Sequence, residues 1–476
     1  MRFLFVNPNA SKLPCFKIGI GLLSSILKKE GHNVDLFDTT FIKKGLEERS
    51  FLNKINDFKP DMIGYAILSS DYALAKKLNK VVKKLKIPSL AGGQHPTFAT
   101  EKCLEHFDYV LRGECETSII QFINSFPNVT RVNEPFNELV NLNDLPFPDW
   151  NLFDKRHFTE NGYIANHSKG VSLLCNIEKG RGCLFNCSYC SSPSLRKCYK
   201  NKGVWRREKT TDYLIREIKS FKKLFPELNA VHFVDDCFKI KDVNDLKDFA
   251  KRFKNEIGVE FSTSERPEFI DKEYMKYYKQ AGGYLLYVGL ESGDSAFRKR
   301  MLNRYMTNQV IINAFKIAKK AGIVVRATAM VGLPTQDDES YLLTYDLVGK
   351  LDLDSIQYTI FLPFIGTELY DFCLKNGYID KNYVCSDGFH SGSPLKNVDG
   401  RKIVRYQKLL YHFQTEHTPF KRFLVKCGGK SEVCFFFIFF LYMLPRILYK
   451  NKRWFKTQEL FRAFKRGGSY YLTKNS

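Results

Sequence analysis

The 476-residue sequence has no apolar run of the roughly 20 residues that a membrane-crossing helix needs, so a spanning anchor is not expected. Its first residues, Met1-Arg2-Phe3-Leu4-Phe5-Val6-Asn7-Pro8, read as a strand. They lack the apolar core and cleavage site of a secretory signal, which points to a cytoplasmic protein. No paired framework orders the 13 cysteines, and reduced thiols are expected rather than disulfides. A dinucleotide loop is missing too, because Gly19-Ile20-Gly21 does not continue into G-x-G-x-x-G. No nucleic-acid-binding motif accompanies the formal net charge of +23, so nucleic acid ranks last among the partners. Nearly half of that charge lies beyond residue 420, where thirteen basic residues face only Glu432 and Glu459.

What is present is one loop, Glu178-Lys179-Gly180-Arg181-Gly182-Cys183-Leu184-Phe185-Asn186-Cys187-Ser188-Tyr189-Cys190, with thiols spaced C-x₃-C-x₂-C. Gly180 and Gly182 let the backbone turn tightly enough for the three sulfurs to face one centre. Thiolates bind soft metals and iron–sulfur clusters, and a [4Fe–4S] cube normally takes four of them. Three leave one iron open, and an open metal position usually accompanies chemistry. The competing reading is zinc, with Cys175 or Cys198 as fourth ligand; the lack of a second C-x₂₋₄-C unit weighs against it.

Strand-like and helix-like runs alternate on both sides of this loop. Residues 1–135 read as a doubly wound α/β domain around a parallel sheet, with strands near 3–6, 33–37, 62–66, 89–91 and 109–112. Ligands of such sheets lie beyond the carboxyl ends of the strands. There the sequence puts Pro8 and Asn9, Asp38 and Thr39, Ser69 and Ser70, Gly92-Gly93-Gln94-His95-Pro96, and Gly113-Glu114. Small hydrogen-bonding residues at each end suit a cofactor with phosphate or amide groups. Residues 136–167, with prolines at 146 and 148, read as a linker. Six strand ends between 168 and 390 suggest a partial (β/α)₆ barrel, whose active residues gather at those ends. Residues 391–476 read as a mostly helical region.

The cysteine loop, with Tyr189 before its last thiol, resembles the signature of the radical S-adenosylmethionine (SAM) family. The strand ends of 168–390 follow in that family's order. The first domain resembles the cobalamin (B12)-binding domain that precedes many radical SAM domains. The matching pieces are Val6-Asn7-Pro8, Gly19-Ile20-Gly21, Gly31-His32-Asn33-Val34, Gly92-Gly93-Gln94-His95-Pro96-Thr97 and Gly113-Glu114-Cys115-Glu116. The resemblance implies a [4Fe–4S] cluster on Cys183, Cys187 and Cys190, with SAM on the open iron. It sets Asp235 and Asp236 near the SAM amine, Arg266 against its carboxylate, Glu291 and Ser292 near the ribose, and Gly332 and Pro334 beside the adenine, with Tyr189 in the same set. Cobalamin contacts are implied for Pro8, Asn9, Ser69, Ser70, Gly92, Gly93, His95, Gly113 and Glu114. The D-x-H-x-x-G segment that supplies a cobalt ligand elsewhere is absent, as in related radical SAM proteins. His95 is therefore expected beside the cofactor rather than on the metal.

The activity implied is one-electron cleavage of SAM at the cluster, giving a 5′-deoxyadenosyl radical that takes hydrogen from an unactivated carbon. Methylcobalamin then methylates that carbon, and an electron donor such as flavodoxin or ferredoxin is needed. The alternatives are a cyclase or oxidative rearrangement, as in the anaerobic magnesium-protoporphyrin ester cyclases, and a non-catalytic cobalamin- or metal-binding regulator. The uncharged run 433–444 reads equally as a buried helix or as an interfacial segment, with 433–456 touching anionic lipid at the inner membrane face. It hints at a lipid-linked substrate among the small molecules this protein could act on.

Overall fold

The structure, a computed structural model, describes residues 1–133, 138–159, 173–240, 242–385, 392–415 and 417–443. The first domain runs β1 (Arg2–Asn7), α1 (Ile18–Lys29), β2 (Asn33–Asp38), α2 (Glu47–Phe58), β3 (Met62–Ala66), α3 (Tyr72–Lys84), β4 (Ser89–Gly92), α4 (Gln94–Phe98), α5 (Thr100–Leu104), β5 (Tyr109–Leu111) and α6 (Ser118–Ser125). Its strands lie in the order β2-β1-β3-β4-β5, all parallel. Phe3, Leu4, Phe5 and Val6 are all buried, as a central strand covered by helices on both faces requires. The chain reverses its direction of winding between β1 and β3, so the crevice for a ligand opens beyond those strand ends.

Residues 138–159 are packed, not a free tether. Trp150 lies 4.8 Å from the Phe16 ring of the first domain and 5.1 Å from Phe221 of the second. The short helix α7 (Arg156–Thr159) brings Phe158 into the same aromatic cluster.

The second domain continues with β6 (Leu174–Ile177), β7 (Gly180–Arg181), α8 (Ser192–Cys198), β8 (Arg207–Glu208), α9 (Thr211–Leu224), β9 (Ala230–Phe233), α10 (Val243–Arg252), β10 (Glu260–Glu265), α11 (Lys272–Ala281), β11 (Gly283–Glu291), α12 (Ser295–Leu302), α13 (Asn308–Lys320), β12 (Val324–Val331), α14 (Asp338–Val348), β13 (Ser355–Ile360) and α15 (Glu368–Lys375). Six strands form one parallel sheet in the order β13-β12-β11-β10-β9-β6, the expected partial barrel, while β7 and β8 pair apart as a small antiparallel ribbon. Along β12, Val325, Ala327, Ala329 and Val331 are buried against the helices, whereas Arg326, Thr328 and Met330 are half-buried on the other face. Helices leave the strand ends through capping side chains: Asp242, Asp271, Asp294, Asp337 and Thr367 each accept a backbone N–H of the first turn, worth about 1 kcal/mol apiece.

Three further helices, α16 (Gly400–His412), α17 (Pro419–Lys430) and α18 (Glu432–Ile438), close the described chain. Helix α16 covers the edge strand β13. The Gln407 amide donates to the Tyr358 carbonyl (2.7 Å), and the Ile356 N–H donates to Gln414 (2.9 Å), so the edge does not present bare hydrogen-bonding groups. The buried-helix reading of the 433–444 run holds for one side of its described part. Phe435, Ile438 and Phe439 are buried, while Phe436, Phe437, Phe440 and Leu441 on the same segment are exposed. No helix among the described residues is long and apolar enough to cross a membrane.

Candidate active site between the two sheets

The cysteine loop follows β6, and side chains from the segment after it hold several of its carbonyls. Trp205 Nε1 donates to the Cys183 carbonyl (3.0 Å), Arg206 to the Gly182 carbonyl (3.0 Å) and Arg196 to the Leu184 carbonyl (2.8 Å). Gly182 has φ +88°, and a Cβ there would stand 2.4 Å from the Trp205 carbonyl oxygen, so only glycine fits. Behind the loop, the Leu369 N–H donates to the Ser188 carbonyl (2.9 Å). Cys187 is buried, and Cys183 and Cys190 are half-buried.

Burial pushes the Cys190 thiol up to about 12, and the charges of Asp236, Cys187 and Cys183 push in the same direction. The three sulfurs and Asp236 thus act on one shared space, and their protons leave when a metal centre takes the thiolates. Among the described residues no three metal-binding side chains are gathered tightly enough for a single ion. Cys175 lies in the core of β6, fully buried. Cys237 is the other cysteine close to this space; its Sγ lies 3.7 Å from Glu265, and burial raises its pKa. The donor set of three soft thiols and backbone-fixed turns fits an iron–sulfur cube held at three corners.

The acids expected around SAM have different surroundings. Asp235 is buried and accepts the Lys179 N–H (3.0 Å) and the Gly180 N–H (2.5 Å), so it braces the start of the cysteine loop. Asp236 is exposed at the mouth of the loop, where its carboxylate accepts the Gly182 N–H and feels the charge of Arg206, while burial of the group pushes its pKa up. Arg266 donates to Cys187 Sγ (3.1 Å), pairs with Glu268 (2.6 Å) and lies 3.6 Å over the Phe185 ring. Were Cys187 to hold a cluster, this cation would favour its reduced, more negative state.

Glu291, at the end of β11, has φ +67° although it is not glycine, and it is buried. Strain of that kind persists where surrounding structure enforces it, commonly at functional sites. Tyr189 Oη donates to Glu291 Oε1 (3.1 Å), and Arg304 donates to Tyr189 Oη (2.9 Å) and to the Gly289 carbonyl (2.7 Å). Arg304 also reaches Glu291 Oε1 (3.4 Å), so both of these contacts on the carboxylate fall on one oxygen. Arg304 carries no motif, and its sequence neighbours give no signal for it. Ser292 is buried and accepts the Asp294 N–H on its hydroxyl. Gly332 (φ +75°) faces Ile403 of α16, whose Cγ2 would lie 2.9 Å from an added Cβ, and Pro334 is buried next to it.

Across the interface lie the strand ends of the first domain. Ser69 and His95 share a hydrogen bond (3.0 Å), and both line a cleft of about 280 Å³ that the barrel closes with Pro363, Ile365 and Tyr370. Burial lowers the His95 pKa to about 4, with Lys102 and Lys76 adding to it, so the ring is neutral. Its Nε2 is buried without a partner. A Cβ on Gly93 (φ +104°) would meet the Ile67 backbone at 3.0 Å. An orphaned imidazole nitrogen and a glycine-lined turn fit a cofactor edge rich in amides, although the cleft admits only part of a corrinoid. Asn9 is tied to the Leu13 carbonyl (2.8 Å) and Thr40 (2.9 Å), beside buried Pro8, and Ser70 lies 3.4 Å from Asp71. The Gly113 N–H donates to Thr97, joining this turn to the Gly92-Gly93 one. Glu114 is engaged elsewhere, by Arg181 (3.0 Å) and Arg207 (2.5 Å) of the second domain. Gln94 hydrogen-bonds Ser191, one residue past Cys190, so the two sites abut.

Two family models match the chain, one described as the B12 binding domain over residues 9–122 and one as the radical SAM superfamily over 177–348. The chain belongs to the radical SAM superfamily. It is a radical SAM enzyme with a B12-binding domain ahead of the catalytic one, and the cofactors that go with these domains are a [4Fe–4S] cluster, SAM and cobalamin. It is 25% identical to an uncharacterized methyltransferase of Pyrococcus horikoshii over 76% of this chain and 79% of that protein. Identity to the anaerobic magnesium-protoporphyrin IX monomethyl ester cyclase of Rubrivivax gelatinosus is 22%, covering 78% of this chain and 69% of that one. Its fold resembles that of TsrM, a radical SAM methyltransferase from Kitasatospora setae, with TM-score 0.60 at 16% identity over 88% of this chain and 84% of that one.

Proposed function

We propose that this enzyme methylates an unactivated carbon of a small molecule, using cobalamin as the methyl carrier. The observation that supports it is the apposition of the two sites: the Gln94–Ser191 contact joins the B12 strand ends to the residue that follows Cys190, and the barrel closes the His95 cleft with Pro363, Ile365 and Tyr370. When bound, the cluster supplies an electron, SAM a 5′-deoxyadenosyl radical and a methyl group, and cobalamin the methyl carrier. The chain's own residues hold and shield. Cys183, Cys187 and Cys190 carry the cluster, Asp236 meets the SAM amine, and Glu291, fixed by Tyr189 and Arg304, receives the ribose hydroxyls. The units are assigned as 1–135 for cobalamin, 136–167 as linker, 168–390 as barrel and 391–476 as the C-terminal region.

Product counting tests this reading. Methyl transfer yields 5′-deoxyadenosine and S-adenosylhomocysteine together, one of each per methylated product. Turnover that releases 5′-deoxyadenosine alone replaces it with the cyclase reading, which the Rubrivivax relative favours.

The electron donor in this account is a flavodoxin or ferredoxin. Peripheral membrane contact is assigned to the exposed face of α17 and α18. Phe423 (58% exposed) and Phe437 (62%) lie there among Lys421, Lys426 and Lys430, a pairing of aromatics and bases that suits an anionic lipid surface and a lipid-linked substrate. The Phe423→Asp, Phe437→Asp double variant is expected to lose most of its co-sedimentation with phosphatidylglycerol vesicles. Equal pelleting of variant and wild type removes the membrane assignment.

A further inference from the structure

Arg181 lies in the cysteine loop, two residues before Cys183, yet most of its guanidinium partners come from the other domain. Its Nη1 reaches Glu114 (3.0 Å) and Glu116 (2.6 Å), both in the turn after β5, while its Nη2 reaches Glu178 (2.7 Å) in its own loop. Burial opposes the charge, but Glu116, Glu178 and Glu114 outweigh it, so the guanidinium stays protonated. Arg207 of the antiparallel ribbon grips both oxygens of Glu114 from the other side. The same turn is tied to the Gly92–Thr97 turn through Gly113 and Thr97 (2.9 Å). One side chain therefore connects the thiol-bearing loop to the turns that edge the His95 cleft.

We propose that Arg181 is the positioning residue that fixes the separation of the two cofactor sites. A bidentate-capable, always-charged fork holding carboxylates on both domains is suited to this, because breaking one arm leaves a buried charge uncompensated. Lysine offers a single point charge and cannot span the three carboxylates at once. With the joint loosened, each site stays intact, but the radical and the methyl carrier no longer meet at one carbon. The consequence for turnover rests on the methyl-transfer reading. The joint itself does not.

The test uses full-length protein loaded with cobalamin and cluster. In Arg181→Gln, both cofactors are expected to load as in wild type. Amide exchange in 112–118 and in 180–190 should rise together by roughly tenfold or more. The magnetic interaction between cob(II)alamin and the reduced cluster should weaken, with Arg181→Lys falling between. Glu116→Gln keeps the Glu178 and Glu114 arms, and is expected to give the same pattern in smaller measure should Arg181→Gln not fold. The proposal is overturned if exchange rises in 180–190 alone, or if the magnetic interaction is unchanged in a variant that loads both cofactors. Exchange needs neither SAM nor turnover, so a failed product count leaves this result readable.

Discussion

Cys187→Ala is expected to abolish the iron–sulfur cluster and all reductive cleavage of SAM while leaving cobalamin binding in place. Cys187 is the most buried of the three thiols and the one that Arg266 contacts, at 3.1 Å. Alanine removes a ligand and leaves the Arg266 cation facing an apolar methyl. Substitution of residues that merely orient metal ligands costs about 10–100-fold. Loss of a ligand itself costs more, and 5′-deoxyadenosine should fall to background. The His95 cleft is lined by side chains from 69–106 and 363–385, none from the cysteine loop, so cobalamin affinity should stay near that of wild type. The paired measurement is iron content against the cobalamin absorbance of the same sample. Parallel loss of both would mean that the cluster loop builds the cobalamin site directly.

Asp235→Leu should be the most damaging change outside the thiols. It leaves the N–H groups of Lys179 and Gly180 buried without acceptors, at about 1–3 kcal/mol each, or on the order of 10 °C in Tm for a domain of this size. Asp235→Asn keeps one carbonyl acceptor and should cost less. The pH dependence separates the two effects. Burial raises the Asp235 pKa from 3.8 to about 7, so the folded protein holds a proton that the unfolded chain releases in that range. Native protein then binds more protons than unfolded, and stability from this group is lost as pH rises. Wild type should therefore lose ground to Asp235→Asn between pH of about 4 and about 7, and no further above. A wild-type/Asn difference that is flat with pH, or an Asp235→Leu protein that melts and takes up iron normally, contradicts the bracing role.

The thiol loop was legible in the sequence because its chemistry resides in residue type and spacing, which folding does not alter. The parallel sheets were legible for a similar reason: fully apolar runs such as Phe3 to Val6 have no other stable place. The partners of individual polar residues were not legible. Asp235 and Glu114 carry the residue types expected of cofactor contacts, yet the structure joins them to Lys179 and Gly180, and to Arg181 and Arg207, groups 55 or more residues away. Arg304 went unseen for the same reason, since its meaning comes only from Tyr189 and Glu291 meeting it in space. Half of the apolar tail segment turned inward because α16 and α17 supply a face for it, which hydropathy alone does not specify.

The most direct measurement is the iron, zinc and acid-labile sulfide content of anaerobically purified wild type and Cys237→Ala. Three thiols holding a cube with one open corner predict about four irons and about four sulfides per chain in both proteins, with SAM altering the electron paramagnetic resonance of the reduced cluster. Stoichiometric zinc in place of iron, or a cluster that vanishes with Cys237, would contradict the account.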